Sequence, residues 1–340
     1  MFVGTYGSEE DESIQLLEFN AYKETLEKRS GINGIENPSY LMVNQRKDLL
    51  YAVSEVEEGE VVAFSIDKDR LKFTEINRQT TKGNAPCYLT LDQKERQLFT
   101  VNYGGGSAVS HAIKRDGSLG ELANFELYRG ETQSHPHMIT AVPESNKYIV
   151  TDLGLNKLYL YEYIEEHEQL TLVKSIPMVG ESGPRHMAIE PKSRKLYVVN
   201  EFNSTVSVYS YDQSIENFEL IQEIQTIPDD YTGENYCADI HIAHRKGYLY
   251  ASNRGHHSIA VYKILEDGKL SLVELVSTMG EWPRSFAIVP GEEYMLIANE
   301  HTHSIVVMKI WPDGTLSSVE AEYMIKSPVC LRIFDKDLKH

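Results

Sequence analysis

One unit returns seven times along this chain, and nothing else in it restricts the fold as strongly. Gly183-Pro184-Arg185-His186-Met187-Ala188-Ile189-Glu190-Pro191 leads to Lys195-Leu196-Tyr197-Val198-Val199-Asn200-Glu201 and then to the alternating run Thr205 to Tyr211. Trp282-Pro283-Arg284-Ser285-Phe286-Ala287-Ile288-Val289-Pro290, Tyr294-Met295-Leu296-Ile297-Ala298-Asn299-Glu300 and Ser304 to Ile310 repeat it step for step. Each of these two units reads as an apolar strand opened by Pro, a turn, a second strand ending in Asn-Glu, a short loop and a third, alternating strand. A fourth, less regular strand follows, such as Phe218 to Ile224. The opening position is Pro38, Pro86, Pro136, Pro184, Ala238, Pro283 and Pro328, at spacings of 48, 50, 48, 54, 45 and 45 residues. Pro is tolerated there because the first residue of a strand does not yet need its N–H for the ladder.

Spacings of this size are those of propeller blades, and 340 residues hold about seven of them. The last unit has a single strand, Val329 to Phe334. The N-terminus supplies a second-strand match, Met1 to Tyr6, and a third-strand match, Ile14 to Phe19. The expected fold is therefore all-β: a seven-bladed β-propeller of four-stranded antiparallel blades, one domain over residues 1–340. One C-terminal and three N-terminal strands would close the ring. Closure removes free sheet edges, which otherwise invite aggregation.

Composition narrows the partners. Lys plus Arg is 33 against Asp plus Glu 51, a formal charge of −18. Phosphate backbones and anionic membranes call for the opposite sign, so neither nucleic acid nor membrane is expected. No apolar run is long enough to span a bilayer, and Met1 to Gly7 does not read as a secretory leader. Cys87, Cys237 and Cys330 are too sparse for a disulfide framework or a zinc site. A cytoplasmic protein with reduced thiols is expected.

A propeller's first strands line its central channel, and the loops at one end of those strands share one face. Two sets of residues should meet there. Ser39, Cys87, His137, Arg185, Asp239, Arg284 and Val329 follow the opening position, and Tyr6, Glu55, Tyr103, Leu153, Glu201, Arg254 and Glu300 end the second strands. A purely structural repeat would accept one residue type throughout. These positions instead collect Arg, His and carboxylates, joined by His135, His186 and His241, which suits a small anionic substrate and acid–base chemistry. The Asn, Asp and Ser residues just before the second-strand ends read as strand caps. His241 reads as a satisfied channel histidine, and His256, His257, His301 and His303 as rim residues. Gly104-Gly105-Gly106 reads as a tight loop, since no helix follows to form a phosphate cradle. Cys87 reads as an inert thiol facing the channel.

Ser134-His135-Pro136-His137, Thr151-Asp152-Leu153-Gly154-Leu155-Asn156, Gly183-Pro184-Arg185-His186, Val199-Asn200-Glu201, Ala238-Asp239-Ile240-His241 and Ser252-Asn253-Arg254-Gly255 together resemble the lactonase seven-bladed propeller family. That family includes bacterial 6-phosphogluconolactonases and fungal carboxy-cis,cis-muconate lactonizing enzymes. The resemblance spans essentially the whole chain and implies a site of His137 (or its neighbour His135), Arg185, Glu201 and Arg254. The departure is Ala238 in place of the opening Pro. The implied reaction is hydrolysis of 6-phospho-D-glucono-1,5-lactone to 6-phosphogluconate, a step of the pentose phosphate pathway, with neither metal nor cofactor. In that scheme His137 or Glu201 is the base, and Arg185 stabilises the oxyanion. Arg254, with Arg284, holds the phosphate, and His135, His186 and Asp239 complete the substrate side. Three alternatives stand beside it. One is a metal-dependent lactonase using oxygens of Asp152, Asn200, Glu201, Asn253 and Asn299. The others are a muconate-type lactone-forming cycloisomerase and a non-catalytic propeller that binds a protein.

Overall fold

The computed structural model describes residues 1–46 and 48–334, which form 28 strands in seven four-stranded sheets and no helix. The fourth blade shows the pattern: Pro184–Glu190, Lys195–Asn200, Thr205–Tyr211 and Phe218–Gln225, paired antiparallel in that order. The two middle strands of each blade are packed on both faces by neighbouring blades, so Leu196, Tyr197, Val198 and Val199 are all buried. The outermost strand keeps one face in water, and Phe218–Gln225 alternates accordingly.

The ring closes as expected. Pro328–Arg332 pairs with Phe2–Thr5, setting Phe2 opposite Arg332 and Val3 opposite Leu331. Ile14–Asn20 and Thr25–Ile32 complete that blade. Blades are also tied to their neighbours by tyrosines of the second strands. Tyr51, Tyr197 and Tyr250 donate their hydroxyls to the carbonyls of Gly117, Gly268 and Gly314 in the next blade's Asp-Gly turn, at 3.1, 2.9 and 2.9 Å.

A bulge near the start of the inner strand recurs in six blades. Pro184 faces Asn200 and His186 faces Val199, which leaves Arg185 as an extra residue. Cys87, His137, Arg284 and Val329 hold the same place in their blades. A bulge sets two residues against one and re-aims side chains. Two successive residues of each inner strand can then serve the channel, as an upper tier at the bulge and a second tier just below it.

The fifth blade corrects the sequence register. Its inner strand, Tyr236–Ala243, starts earlier than expected, and Cys237, not Ala238, lies opposite Asn253 as Pro184 lies opposite Asn200. Ala238 is thus the counterpart of Arg185. Asp239 belongs to the second tier, beside His186, and not to the upper tier where it was expected. Without Pro to mark the strand's first residue, the sequence carried no signal for this offset.

Candidate functional site

Gly183 fixes the approach to the fourth blade's inner strand. It has φ +66, a conformation that suits glycine, and its carbonyl accepts the Glu201 N–H at 2.8 Å. Arg185 and Glu201 are thereby held side by side. Arg185 is 2% exposed; its Nη1 donates to Ala238 O at 2.5 Å, and its Nε lies 3.0 Å from Glu201 Oε2. That contact is an ion pair whose angle does not make a hydrogen bond. Arg254 enters from the fifth blade and places Nη2 2.7 Å from the same Glu201 oxygen. It also donates from Nε to Tyr236 O and from Nη2 to Cys237 O. These bonds hold Arg254 inside, where it is 5% exposed with Trp282 beside it.

Burial works against the charge on Glu201, but Arg254, Arg185 and Arg284 outweigh it and hold the carboxyl below its ordinary range. Burial, with Arg254 and Arg284 nearby, brings Arg185 down to about 10, so it remains a cation at neutral pH. His137 is buried, and burial together with Arg185, His186 and the other arginines holds it well below the usual histidine value. It is therefore a neutral imidazole, and its Nδ1 has no hydrogen-bond partner among the described residues. Of the two candidate bases, His137 is the one whose lone pair is not engaged by two guanidinium groups.

Arg284 differs from the other two arginines. It is half-buried, and among the described residues no carboxylate lies within ion-pair distance of it. Its guanidinium sits 5.2 Å from the Tyr6 ring. Burial opposes its charge, but Tyr6, Glu55 and Glu300 together more than compensate and raise its pKa. Tyr6 in turn donates to Glu55 Oε1 at 3.1 Å. At the rim, His135 stacks on Tyr103 at 4.4 Å and uses Nδ1 on the Tyr103 carbonyl, and Tyr103 also meets His137 edge-on. Tyr6, Glu55, Tyr103 and Glu300 were placed at this mouth by their repeat position without a role. Tyr6 meets Arg284, Tyr103 meets His137, and Glu55 and Glu300 add to the field that favours the Arg284 charge.

His186 and Asp239 stand in the second tier. His186 Nδ1 lies 2.9 Å from Asp239 Oδ1, and His241 Nε2 lies 3.2 Å from Asp239 Oδ2, so His241 is satisfied as expected. The His186 ring is 5.1 Å from that of His137, which joins the tiers. The Asn residues beneath the upper loops serve as caps: Asn200 donates to Thr205 Oγ1 and Asn253 to Ser258 Oγ. Asp152 accepts from His135 N, Leu155 N and Ser134 Oγ. Among the described residues no three His, Cys, Asp or Glu side chains gather as a metal cluster. Cys87 is buried in the channel wall, and burial pushes its thiol up. Among the described residues no helix is long and apolar enough to cross a membrane.

The chain is 33% identical over 301 residues to 6-phosphogluconolactonase of Bacillus subtilis, with 86% of each protein covered. Its fold matches a putative 6-phosphogluconolactonase from Bacteroides fragilis at TM-score 0.90 and 28% identity, covering 98% of this chain and 97% of the other. It matches the periplasmic gluconolactonase PpgL of Pseudomonas aeruginosa at TM-score 0.91 and 25% identity, covering 97% of both. The model of the family "Lactonase, 7-bladed beta-propeller" matches residues 1–333, and the chain belongs to that family.

Proposed function

We propose that the chain hydrolyses a sugar lactone carrying an anionic group, 6-phospho-D-glucono-1,5-lactone, to 6-phosphogluconate. The observation that carries this reading is the unequal use of three arginines around one neutral histidine. Arg185 and Arg254 are balanced by Glu201, while Arg284 keeps its charge for a ligand. The relatives named 6-phosphogluconolactonase support the same substrate. His137 takes a proton from water as the water oxygen attacks the lactone carbonyl. Arg185 faces the oxygen on which negative charge develops. The ring C–O bond then breaks, the proton returns from His137 to the departing ring oxygen, and a hydroxy acid is left. Glu201 keeps the two buried guanidinium groups in place, and Arg284 binds the phosphate by charge-assisted hydrogen bonds. His135 and Tyr103 form the wall beside His137. Three free, buried cysteines favour a reducing compartment such as the cytoplasm.

The test is 6-phosphogluconate release from freshly generated lactone, corrected for spontaneous hydrolysis and run with and without chelator. Acceleration that survives the chelator supports the scheme, and no acceleration over the spontaneous rate rejects it. The likeness to a gluconolactonase favours a second reading, hydrolysis of the unphosphorylated lactone. Comparing kcat/KM on both lactones decides between them.

A further inference from the structure

Below His137 the channel does not fill with apolar side chains. A cavity of about 280 Å³ lies there, lined among others by Tyr40, Tyr88, His186, Asp239, His241 and Arg332. These residues come from the second tier and from positions two further along the inner strands, where period-two alternation again faces the channel. None of Arg185, Glu201, Arg254 or Arg284 lines it.

The chemistry of its wall is specific. Asp239 is spent internally: its oxygens accept from His186, His241, Ser285 Oγ and the backbone of Ile240 and Phe286. A carboxylate can only accept, so His186 must donate its Nδ1 proton and carry its lone pair on Nε2. That Nε2 is buried and has no partner among the described residues. A buried acceptor without a donor is costly, and such exceptions call for an explanation. Arg332 brings a cation: its Nε donates to Leu41 O, and its guanidinium lies 4.1 Å from the Tyr40 ring centroid. Tyr40 lies against Tyr88, with ring centroids 3.9 Å apart and planes tilted by 32°. Asp239 favours the charged form of His241, whose side chain is 34% exposed. At the outer edge His244 pairs with Glu190. The compartment thus offers a cation, a histidine that charges readily, an acceptor seeking a hydroxyl and an aromatic wall.

We propose that this lower compartment is a second binding site, separate from the lactone site, for a small hydroxylated anion of sugar-acid type. Arg332 holds its carboxylate or phosphate, the charge of His241 adds to that attraction, His186 Nε2 accepts from one of its hydroxyls, and the Tyr40–Tyr88 pair covers its carbon face. The site uses none of His137, Arg185, Glu201, Arg254 and Arg284, and it claims His186 and Asp239, which the sequence had placed on the lactone's substrate side; it stands whether or not the lactone assignment does.

The experiment is calorimetric titration of gluconate, glucose and inorganic phosphate into the full-length protein and three variants, with thermal unfolding as a folding control. Gluconate is expected to bind wild type more tightly than phosphate, with glucose weaker than either. Arg332→Gln and His241→Gln should each weaken gluconate by about tenfold or more, the size of one lost charged hydrogen bond. Arg284→Ala should leave gluconate binding unchanged, and Arg332→Gln should leave lactone kcat and KM unchanged. If Arg332→Gln does not fold, His241→Gln carries the test alone. The proposal falls if wild type does not bind gluconate. It also falls if phosphate binds as well as gluconate, or if Arg284→Ala abolishes binding that Arg332→Gln and His241→Gln retain.

Discussion

Arg254 reaches Glu201 from the adjacent blade and sits closer to its Oε2, at 2.7 Å, than Arg185 of Glu201's own blade does, at 3.0 Å. One carboxylate therefore neutralises two buried cations across a blade boundary. Taking away one partner of a buried ion pair leaves an uncompensated charge and typically costs about 3–5 kcal/mol. Glu201→Gln should lower stability by an amount of that order in urea unfolding and abolish most activity. An unchanged midpoint would show that Glu201 does not hold the arginines.

The arginines should separate kinetically. Arg185→Ala removes stabilisation that strengthens as charge develops, so kcat should drop by the equivalent of about 2.7–4 kcal/mol. Arg284→Ala removes a grip made equally in ground and transition states. Its loss should appear as a KM increase of about tenfold or more with kcat nearly kept, and as loss of preference for the phosphorylated lactone. Steady-state kinetics on both lactones checks this, and a kcat defect confined to Arg284→Ala would reverse the two roles.

The pH profile has a defined sign. His137 acts as a base only when unprotonated, and its pKa is displaced downward by burial and by the surrounding cations. Activity should therefore hold steady as pH falls through the ordinary histidine range near 6.5 and decline only below it. His186, brought to about 4 by burial and Arg185, stays neutral over the same interval. An acidic limb with its midpoint at 6.5 or above would exclude His137 as the base.

Ring closure can be tested from the C-terminal strand. Leu331 is 2% exposed and packs in one cluster with Met1, Val3 and Leu17. Leu331→Ala should cost about 2–5 kcal/mol. Deleting residues 328–340 should bare the Phe2–Thr5 edge and give insoluble protein. A soluble truncation with an unchanged melting temperature would contradict both expectations.

The ring, its closure and the mouth that gathers Arg185, Glu201 and Arg254 were legible because a strand-opening position, Pro in six units of seven, recurs every 45 to 54 residues. The offset at Cys237 was not, because the fifth blade lacks the Pro that marks strand starts. Nor were the two tiers. A one-residue bulge leaves the alternation of Arg185 and His186 looking ordinary in the sequence, and only the pairing of His186 with Val199 reveals it. The depth of Arg254 depends on the backbone carbonyls of Tyr236 and Cys237, which no side-chain pattern records. Arg332 was invisible for a related reason: it meets Tyr40 only through closure of the ring.

The recurring bulge has a consequence for how such a ring can diverge. Strictly alternating inner strands would give the channel one residue where these give two, and any change near the mouth would disturb the packing behind it. With the extra residue, the inner strands offer the channel an upper row that holds Arg185, His137 and Arg284 and a second row below it that holds His186 and Asp239. The scaffold behaves like a socket with two stacked rows of contacts, coupled where the His137 and His186 rings meet.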